Sequence, residues 1–205
     1  MTTAKSKATK TKVKIVSPDL GHHATDVGLE FSKETEAKIK RILKRYPEDK
    51  AQSAVIPVLR LAQDEFGGWL STSAMQLTAE RLGLPYIRVY EVATFYTMFN
   101  LKPVGKYHLQ VCTNCSCMIR GSDKIVEAVK DFTGISKNGE MSDDSLFTLT
   151  EVECLGACVE APMMQVNNGY YTKLDKEKTL QILDALKKGE EVETATPTTP
   201  MKDGY

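Results

Sequence analysis

The run YHLQVCTNCSCMIRGSDKIVEAV, residues 107–129, carries three of the five cysteines of this 205-residue chain. Its first residues alternate between polar and apolar side chains, which predicts a strand that leads directly into Cys112. Cys115 and Cys117 follow at once, and apolar residues with helical spacing begin near Ser122. The run therefore predicts a strand and a helix joined by a turn that carries three thiols.

The remaining two cysteines, Cys154 and Cys158, lie in a second window after another predicted strand, LFTLTEVE, residues 146–153. Both windows therefore come at the C-terminal end of a strand, where loops leave one edge of a sheet. Thiolates are soft ligands that suit zinc, copper and iron–sulfur centres. Thiols confined to two short windows indicate a metal or cluster site rather than scattered core cysteines.

The second half of the chain has the order strand, helix, strand, hairpin, helix. The hairpin is predicted over 162–172 around an Asn-Asn-Gly turn, and the last helix over 175–188. This order fits a sheet with helices packed on it, in the manner of thioredoxin-like domains. The final residues, 190–205, are rich in Thr and Pro and lack a packable face, so we expect them to be disordered.

The first half of the chain predicts four helices, over about 32–46, 55–66, 71–82 and 85–96, because apolar residues recur there with helical spacing. Short loops between them predict a small antiparallel bundle. The fold class is therefore α+β, a helical bundle followed by a thioredoxin-like α/β domain. The predicted divisions are a flexible arm over 1–31, the bundle over 32–101, the thioredoxin-like domain over 102–189 and a disordered tail over 190–205.

The fourth predicted helix is apolar on two sides. One side carries Val89 and Ala93, and the other runs through Ile87 and Tyr90 towards Met98-Phe99. A helix that is apolar all round is either buried within its own chain or covered by another chain. Both alternatives stay open from the sequence.

The charges of the chain balance, with 27 Lys and Arg against 27 Asp and Glu, so no global field points to nucleic acid or an anionic membrane surface. No apolar run approaches the roughly 18 to 20 residues of a membrane helix, and the lysine-rich N-terminus lacks the apolar core of a secretory signal. We expect an intracellular chain, whose thiols bind metal before they form disulfides. His22 and His23, beside a glycine, are predicted to be solvated loop residues.

The spacing leaves more than one metal and more than one ligand set open. Cys-x4-Cys with Cys-x3-Cys supplies two thiolates for each iron of a [2Fe–2S] cluster, whereas structural zinc usually takes tighter Cys-x2-Cys knuckles in an interaction module. One assignment pairs Cys112 with Cys117 and Cys154 with Cys158, and the rival uses Cys115 with a neighbour. A redox dithiol of Cys112 and Cys115 is a third interpretation, which leaves the second window unexplained.

The cysteine windows and their surroundings resemble a known family. The runs VCTNCSCMIRGSDKIVEAV, residues 111–129, and EVECLGACVEAPMMQVN, residues 151–167, are similar to the thioredoxin-like [2Fe–2S] subunit of respiratory complex I, the NADH-quinone oxidoreductase of bacteria and mitochondria. Upstream, residues 53–71 and 85–107 resemble the helical N-terminal portion of that family. The resemblance covers about residues 32–188. Related subunits occur in NAD-linked hydrogenases and formate dehydrogenases.

The resemblance implies a ligand set and a cofactor. The four cluster ligands of the family fall on Cys112, Cys117, Cys154 and Cys158, which would hold one [2Fe–2S] cluster, and Cys115 stands where the family usually has another residue. The function implied is that of an electron-transfer subunit of NADH-quinone oxidoreductase. Its cluster would exchange single electrons with the FMN of a partner flavoprotein, which also binds NADH.

The resemblance also implies where the chain works. A GxGxxG fingerprint after a strand is absent from the sequence, so we expect no NADH or flavin site in this chain. We expect a peripheral position on the cytoplasmic face of the bacterial plasma membrane, reached through the complex without direct insertion. The matrix side of a mitochondrion is the alternative.

Overall fold

The computed structural model describes residues 28–195. Most of the arm predicted over 1–31, including His22 and His23, lies outside the described residues, as does the tail from residue 196 onwards. Within the described part, no helix is both long and apolar enough to cross a membrane.

Between residues 28 and 101, four α-helices and one 3-10 helix are present, in agreement with the four helical segments predicted. Their apolar stripes meet in one buried cluster that includes Ile39, Leu59 and Met75, because apolar residues three and four apart share one face of each helix. Their bounds are α1 Lys33–Leu43, the 3-10 helix Glu48–Ala54, α2 Val55–Glu65, α3 Thr72–Leu82 and α4 Tyr86–Phe95.

Two serines begin helices by capping them. The Ser32 hydroxyl accepts a hydrogen bond from the Thr35 backbone N–H at 3.2 Å, and the Ser71 hydroxyl accepts one from the Ala74 N–H at 3.1 Å. Each bond satisfies a backbone donor that the first turn of a helix leaves unpaired. The sequence predicts both starts, and of the two serines near the start of α3 the cap is Ser71.

The two apolar sides of α4 differ in burial. Val89 and Ala93 are buried in the helical core, whereas Ile87 is 55% exposed and Phe95 78% exposed. Beyond the helix, Phe99 turns back into the core and is only 5% exposed. The second side is therefore not of one kind. The chain bends after Phe95, so Phe99 is buried within this chain while Phe95 stays on the surface.

A four-stranded sheet with helices forms the second part of the chain, in the predicted order of strand, helix, strand, hairpin and helix. The strand order is β2-β1-β3-β4; β1 and β2 are parallel, and the other neighbours are antiparallel. The bounds are β1 Tyr107–Cys112, α5 Cys115–Ile119, α6 Ser122–Thr133, β2 Phe147–Val152, β3 Met163–Val166, β4 Gly169–Thr172 and α7 Lys176–Lys188.

The hairpin turn is one residue shorter than the Asn-Asn-Gly predicted. Val166 pairs with Gly169, so Asn167 and Asn168 alone make the turn and Gly169 is already in β4. Asn167 has a φ of 51°, a left-handed conformation that asparagine tolerates better than most residues. The turn lies against α2, where the Arg60 guanidinium donates a hydrogen bond to the Asn168 side-chain oxygen.

The sheet has its own core, separate from the helical one. Leu109, Leu149 and Met164 are fully buried in it, together with Ile125 of α6 and Leu183 of α7. Both helices contribute to this one core, in agreement with the prediction of helices packed on a sheet. The sheet part is therefore a layer of helix on a mixed sheet, the arrangement expected for a thioredoxin-like domain.

Asn100 joins the helical core to the sheet. Its side-chain amide donates to the Gly68 carbonyl at 2.8 Å and lies 3.5 Å from His108 Nδ1. On the other side of the imidazole ring, Nε2 lies 2.9 Å from the Thr150 hydroxyl. His108 is therefore a buried strand side chain held by hydrogen bonds.

The start of the tail differs from the disorder expected for it. Val192 packs against the sheet core, and the Ala195 N–H donates to the Tyr170 carbonyl at 2.7 Å. Composition suggested no packable face, yet Val192 and the bond from Ala195 place this part of the chain beside β4. A Cβ on Gly169 would lie 2.7 Å from the Thr194 side chain, so a larger residue there would require the segment that crosses β4 to shift.

Candidate metal centre

The parallel pair of strands brings the two cysteine windows together. In the register of the sheet Cys112, the last residue of β1, lies opposite Val152, the last residue of β2. Cys154 follows two residues later. Because parallel strands end at the same edge of a sheet, the two loops leave it side by side, as the sequence predicted.

The first window closes with a short helix that the sequence analysis did not predict, α5. The Asn114 side chain accepts a hydrogen bond from the Cys115 N–H at 2.7 Å and begins it. Cys112 and Cys117 are each 2% exposed, whereas Cys115 is on the surface. Residues two apart on a helix do not share a face, which explains why Cys115 points outwards while Cys117 is buried.

The two buried cysteines belong to a small apolar cluster at the end of the sheet. Its buried members are Cys112, Cys117, Ala161 and Met163. Three partly buried side chains pack against it, namely Leu155 and Ala157 of the second window and Tyr170 of β4. The second window therefore forms one wall of the pocket in which the first pair of thiols lies.

The second window is a tight loop whose own cysteines are exposed. Gly156 has a φ of 80°, which an L side chain rarely adopts, so the glycine between Cys154 and Cys158 is required by the loop path. The Gly156 N–H donates to Cys154 Sγ at 3.4 Å. A hydrogen bond from a backbone N–H stabilises sulfur that carries negative charge.

In the absence of a bound metal ion, the pocket favours the neutral thiol of Cys117 over the thiolate. Burial, with smaller contributions from the Cys112 thiol and from Cys158, raises the pKa of the Cys117 thiol to about 11, although the Met163 backbone acts against this rise. No Lys, Arg or His contributes to the shift. Such a thiol is a poor nucleophile, since reactive cysteines have a lowered pKa. A bound metal ion reverses the balance, because a coordinating thiol is deprotonated outright.

The two windows supply soft thiol donors that can be grouped in pairs. A [2Fe–2S] cluster needs two such pairs, one pair for each iron. The chain offers Cys112 with Cys117 in the buried wall and Cys154 with Cys158 in the loop beside it.

Two residues that frame the site were missed by the sequence analysis. Met163 contributes its side chain to the pocket and its backbone to Cys117, and the Tyr170 hydroxyl donates to the Leu155 carbonyl at 3.0 Å. Both lie in the predicted hairpin. The sequence gives no signal, however, that this face of the hairpin meets the cysteine loop.

The chain is similar to known proteins over most of its length. A family model described as thioredoxin-like [2Fe–2S] ferredoxin matches residues 39–187. The E subunit of NADH-quinone oxidoreductase from Rickettsia bellii is 50% identical over 157 residues, which cover 77% of this chain and 93% of the relative. The corresponding protein of Rickettsia prowazekii is 47% identical over 160 residues, which cover 78% of this chain and 90% of the relative.

A solved structure shares the fold at a greater distance. The NAD+-reducing [NiFe]-hydrogenase in its H2-reduced state aligns with 67% of this chain, with a TM-score of 0.60 and 17% sequence identity. The aligned part is 23% of that hydrogenase chain. The likeness is one of fold, and the aligned region is a small part of the longer protein.

Proposed function

The chain belongs to the thioredoxin-like [2Fe–2S] ferredoxin family, close to members that are named as subunits of NADH-quinone oxidoreductase, and from this membership we propose that it is the electron-transfer subunit of an NADH dehydrogenase module. It holds one [2Fe–2S] cluster through Cys112, Cys117, Cys154 and Cys158. The cluster exchanges single electrons with the FMN of a partner flavoprotein. The role is that of an electron carrier within NADH:quinone oxidoreductase, without an NADH or flavin site in this chain.

One observation carries this proposal above the others. The parallel β1–β2 pair places a buried cysteine pair and an exposed cysteine pair at the same end of the sheet, inside a chain that is 50% identical over most of its length to a relative from NADH-quinone oxidoreductase. A zinc-binding interaction module would account for the clustered thiols, but it would not account for the similarity to this family. A dithiol of Cys112 and Cys115 joins one buried and one exposed side chain and leaves the second window without a role.

The residues of this chain have distinct parts in the proposed site. The cluster, when bound, supplies a centre that accepts and releases one electron at a time. Met163, Ala161 and Tyr170 exclude water from Cys112 and Cys117. The Gly156 N–H directed at Cys154 Sγ stabilises negative charge on that sulfur. Burial and N–H to sulfur hydrogen bonds are the means by which a protein sets the potential of such a cluster.

The partner is proposed to be the flavoprotein that binds FMN and NADH, since the relatives are named as subunits of NADH-quinone oxidoreductase. Through that partner the chain would take a peripheral position on the cytoplasmic face of the bacterial plasma membrane. Hydride chemistry belongs to the flavin in this scheme, and the present chain receives single electrons from it.

The test is anaerobic purification followed by metal analysis and spectroscopy. We expect about two irons per chain and a rhombic EPR signal after reduction with dithionite. NADH should reduce the cluster only when the flavoprotein is added, because the nicotinamide site lies in that partner. Colourless protein that holds zinc would contradict the proposal.

A second candidate is the equivalent subunit of an NAD-linked hydrogenase, because a NAD+-reducing [NiFe]-hydrogenase shares the fold. The 17% identity to that chain against 50% to the complex I relative favours the first candidate. The proteins that co-purify with the chain at its natural level decide between them: quinone oxidoreductase components support the first and hydrogenase components the second.

A further inference from the structure

Tyr170 connects the two cysteine windows. Its ring packs against the pocket that holds Cys112 and Cys117, and its hydroxyl donates to the Leu155 carbonyl at 3.0 Å. The residue lies in β4, an element that carries no cysteine. One side chain therefore contacts the wall of the first window and the backbone of the second.

The loop it holds is anchored at its two ends, where Cys112 Sγ lies 3.7 Å from the Glu153 carbonyl and the Lys173 N–H donates to the Glu160 carbonyl at 2.8 Å. Within residues 28–195, the Tyr170 hydroxyl makes the hydrogen bond that reaches residues 154–158 from another element of the chain. The remaining bonds of the loop are local, such as the one from the Gly156 N–H to Cys154 Sγ. Both cysteines of this loop are exposed, although Leu155 and Ala157 between them pack against the pocket.

We infer that Tyr170 is a positioning residue, which holds the loop of Cys154 and Cys158 against the buried pair Cys112 and Cys117. The inference rests on the proposed function, since it concerns how two proposed ligands are placed. A ligand pair on an exposed loop needs an outside support, because misplacement of a metal ligand weakens binding and changes the electronic properties of the bound group.

The position of β4 is itself supported from the far side. The Ala195 N–H donates to the Tyr170 carbonyl at 2.7 Å, so residues 190–195 cover the edge of β4 at this point. An open edge strand would be free to shift or to pair with another chain. The backbone of Tyr170 is thus held by the C-terminal segment while its side chain holds the loop.

The neighbouring tyrosine provides a matched control. Tyr171 alternates to the opposite face, lies in the core between sheet and helices, and has its hydroxyl 3.5 Å from the Val192 carbonyl. Tyr170→Phe and Tyr171→Phe each remove one hydroxyl from the same strand. Only the first removes a bond to the cysteine loop.

The experiment uses the full chain, both without metal and after anaerobic reconstitution with iron and sulfide. In the apoprotein, Tyr170→Phe should raise millisecond hydrogen exchange over residues 154–161 about 2- to 10-fold, the range that loss of one hydrogen bond allows. In the loaded protein, we expect shifted EPR g-values and about 2- to 10-fold faster cluster loss to a chelator. Tyr171→Phe should leave all three at wild-type values.

Two outcomes would overturn the inference. One is a Tyr170→Phe protein whose loop exchange, EPR spectrum and cluster loss match the wild type, and the other is an equal change in Tyr171→Phe, which would show a general effect of strand destabilisation. Failure of the proposed function looks different, because the wild type itself would then bind no cluster. The apoprotein exchange would still report whether Tyr170 holds the loop.

Discussion

Cys115 and Cys117 give the sharpest contrast at the scale of single residues. Cys115→Ser should keep the cluster, because Cys115 points away from the buried Cys117 on α5 and is not one of the four proposed ligands. Cys117→Ser should lose or distort it, since this buried thiol packs against Cys112. Iron content per chain and the EPR spectrum of the reduced protein measure both effects.

The variants Cys112→Ser, Cys154→Ser and Cys158→Ser show what the loss of one proposed ligand does to the cluster. An unchanged cluster in Cys117→Ser together with its loss in Cys115→Ser would reverse the ligand assignment. Should all five variants keep an unchanged cluster, none of these cysteines would be an essential ligand.

The cysteine windows were predictable, but the choice within the first window was not. Strand alternation followed by two thiol clusters placed both windows at strand ends, and β1 and β2 confirm this. Spacing alone left Cys115 and Cys117 as rivals. The five residues of α5 separate them, and so short a helix has no repeating apolar pattern from which its buried side could be read.

At the scale of one element, the exit of α4 holds two phenylalanines in opposite environments. Phe99→Ala should lower the free energy of unfolding by about 3 to 5 kcal/mol, because it leaves a cavity in the helical core. Phe95→Ala should cost less than about 0.5 kcal/mol, since the ring is on the surface. Urea unfolding of both variants measures the difference, and similar losses would contradict the assignment of Phe99 to the core.

The exposed side of α4 is the surface where we expect the flavoprotein to contact this region. Phe95→Asp or Met98→Asp should weaken co-purification with that partner while leaving the urea midpoint near the wild-type value, because both side chains are exposed. The sequence pattern groups Phe99 with this surface, but Phe99 is buried and does not belong to it. Arg88→Ala on the same helix is the control for a polar exposed position. Undiminished co-purification of both charged variants would exclude this face from the interface.

Element boundaries were predicted well at several capped ends, although α1 ends at Leu43 and not near residue 46. Ser32, Ser71 and Asp175 cap helices, and Gly83 and Gly189 end them in left-handed conformations. The 3-10 helix before α2 and the helix α5 were missed because each is shorter than two full apolar repeats. The segment over 190–195 was missed for a different reason: its order depends on the edge of β4, a tertiary feature that composition does not record.

At the scale of the whole molecule, the junction at His108 should make stability depend on pH. Burial lowers the pKa of His108 below its ordinary value, and burial is the sole cause of the shift. Its contacts are uncharged: Asn100 from the connection after α4, Thr150 from β2, and the Asn167 side chain, which accepts from the His108 N–H. The unfolded chain therefore binds a proton at a higher pH than the folded one.

The sign follows from that difference. Above the ordinary histidine pKa of about 6.5 both states are neutral and the full stability is present; as pH falls towards the folded pKa, stability is lost by up to about 1.4 kcal/mol per pH unit. His108→Gln should show a smaller loss between about pH 7.5 and about pH 5.5. Urea unfolding at both pH values measures it, and equal losses in variant and wild type would contradict the prediction.

Asp64 acts in the opposite direction at lower pH. Burial raises the pKa of its carboxyl, so its contribution to stability increases as pH falls.

The parallel pairing of β1 with β2 also sets an order of events during biosynthesis. Cys112 and Cys117 leave the ribosome before the crossover through α6 and before Cys154 and Cys158, so a nascent chain first presents half of the proposed ligands. The two pairs of proposed ligands come together only after β2 has paired with β1. We therefore expect the cluster to be delivered to a completed and largely folded protein. A chain truncated after β2 should be unable to acquire the cluster, even after prolonged incubation.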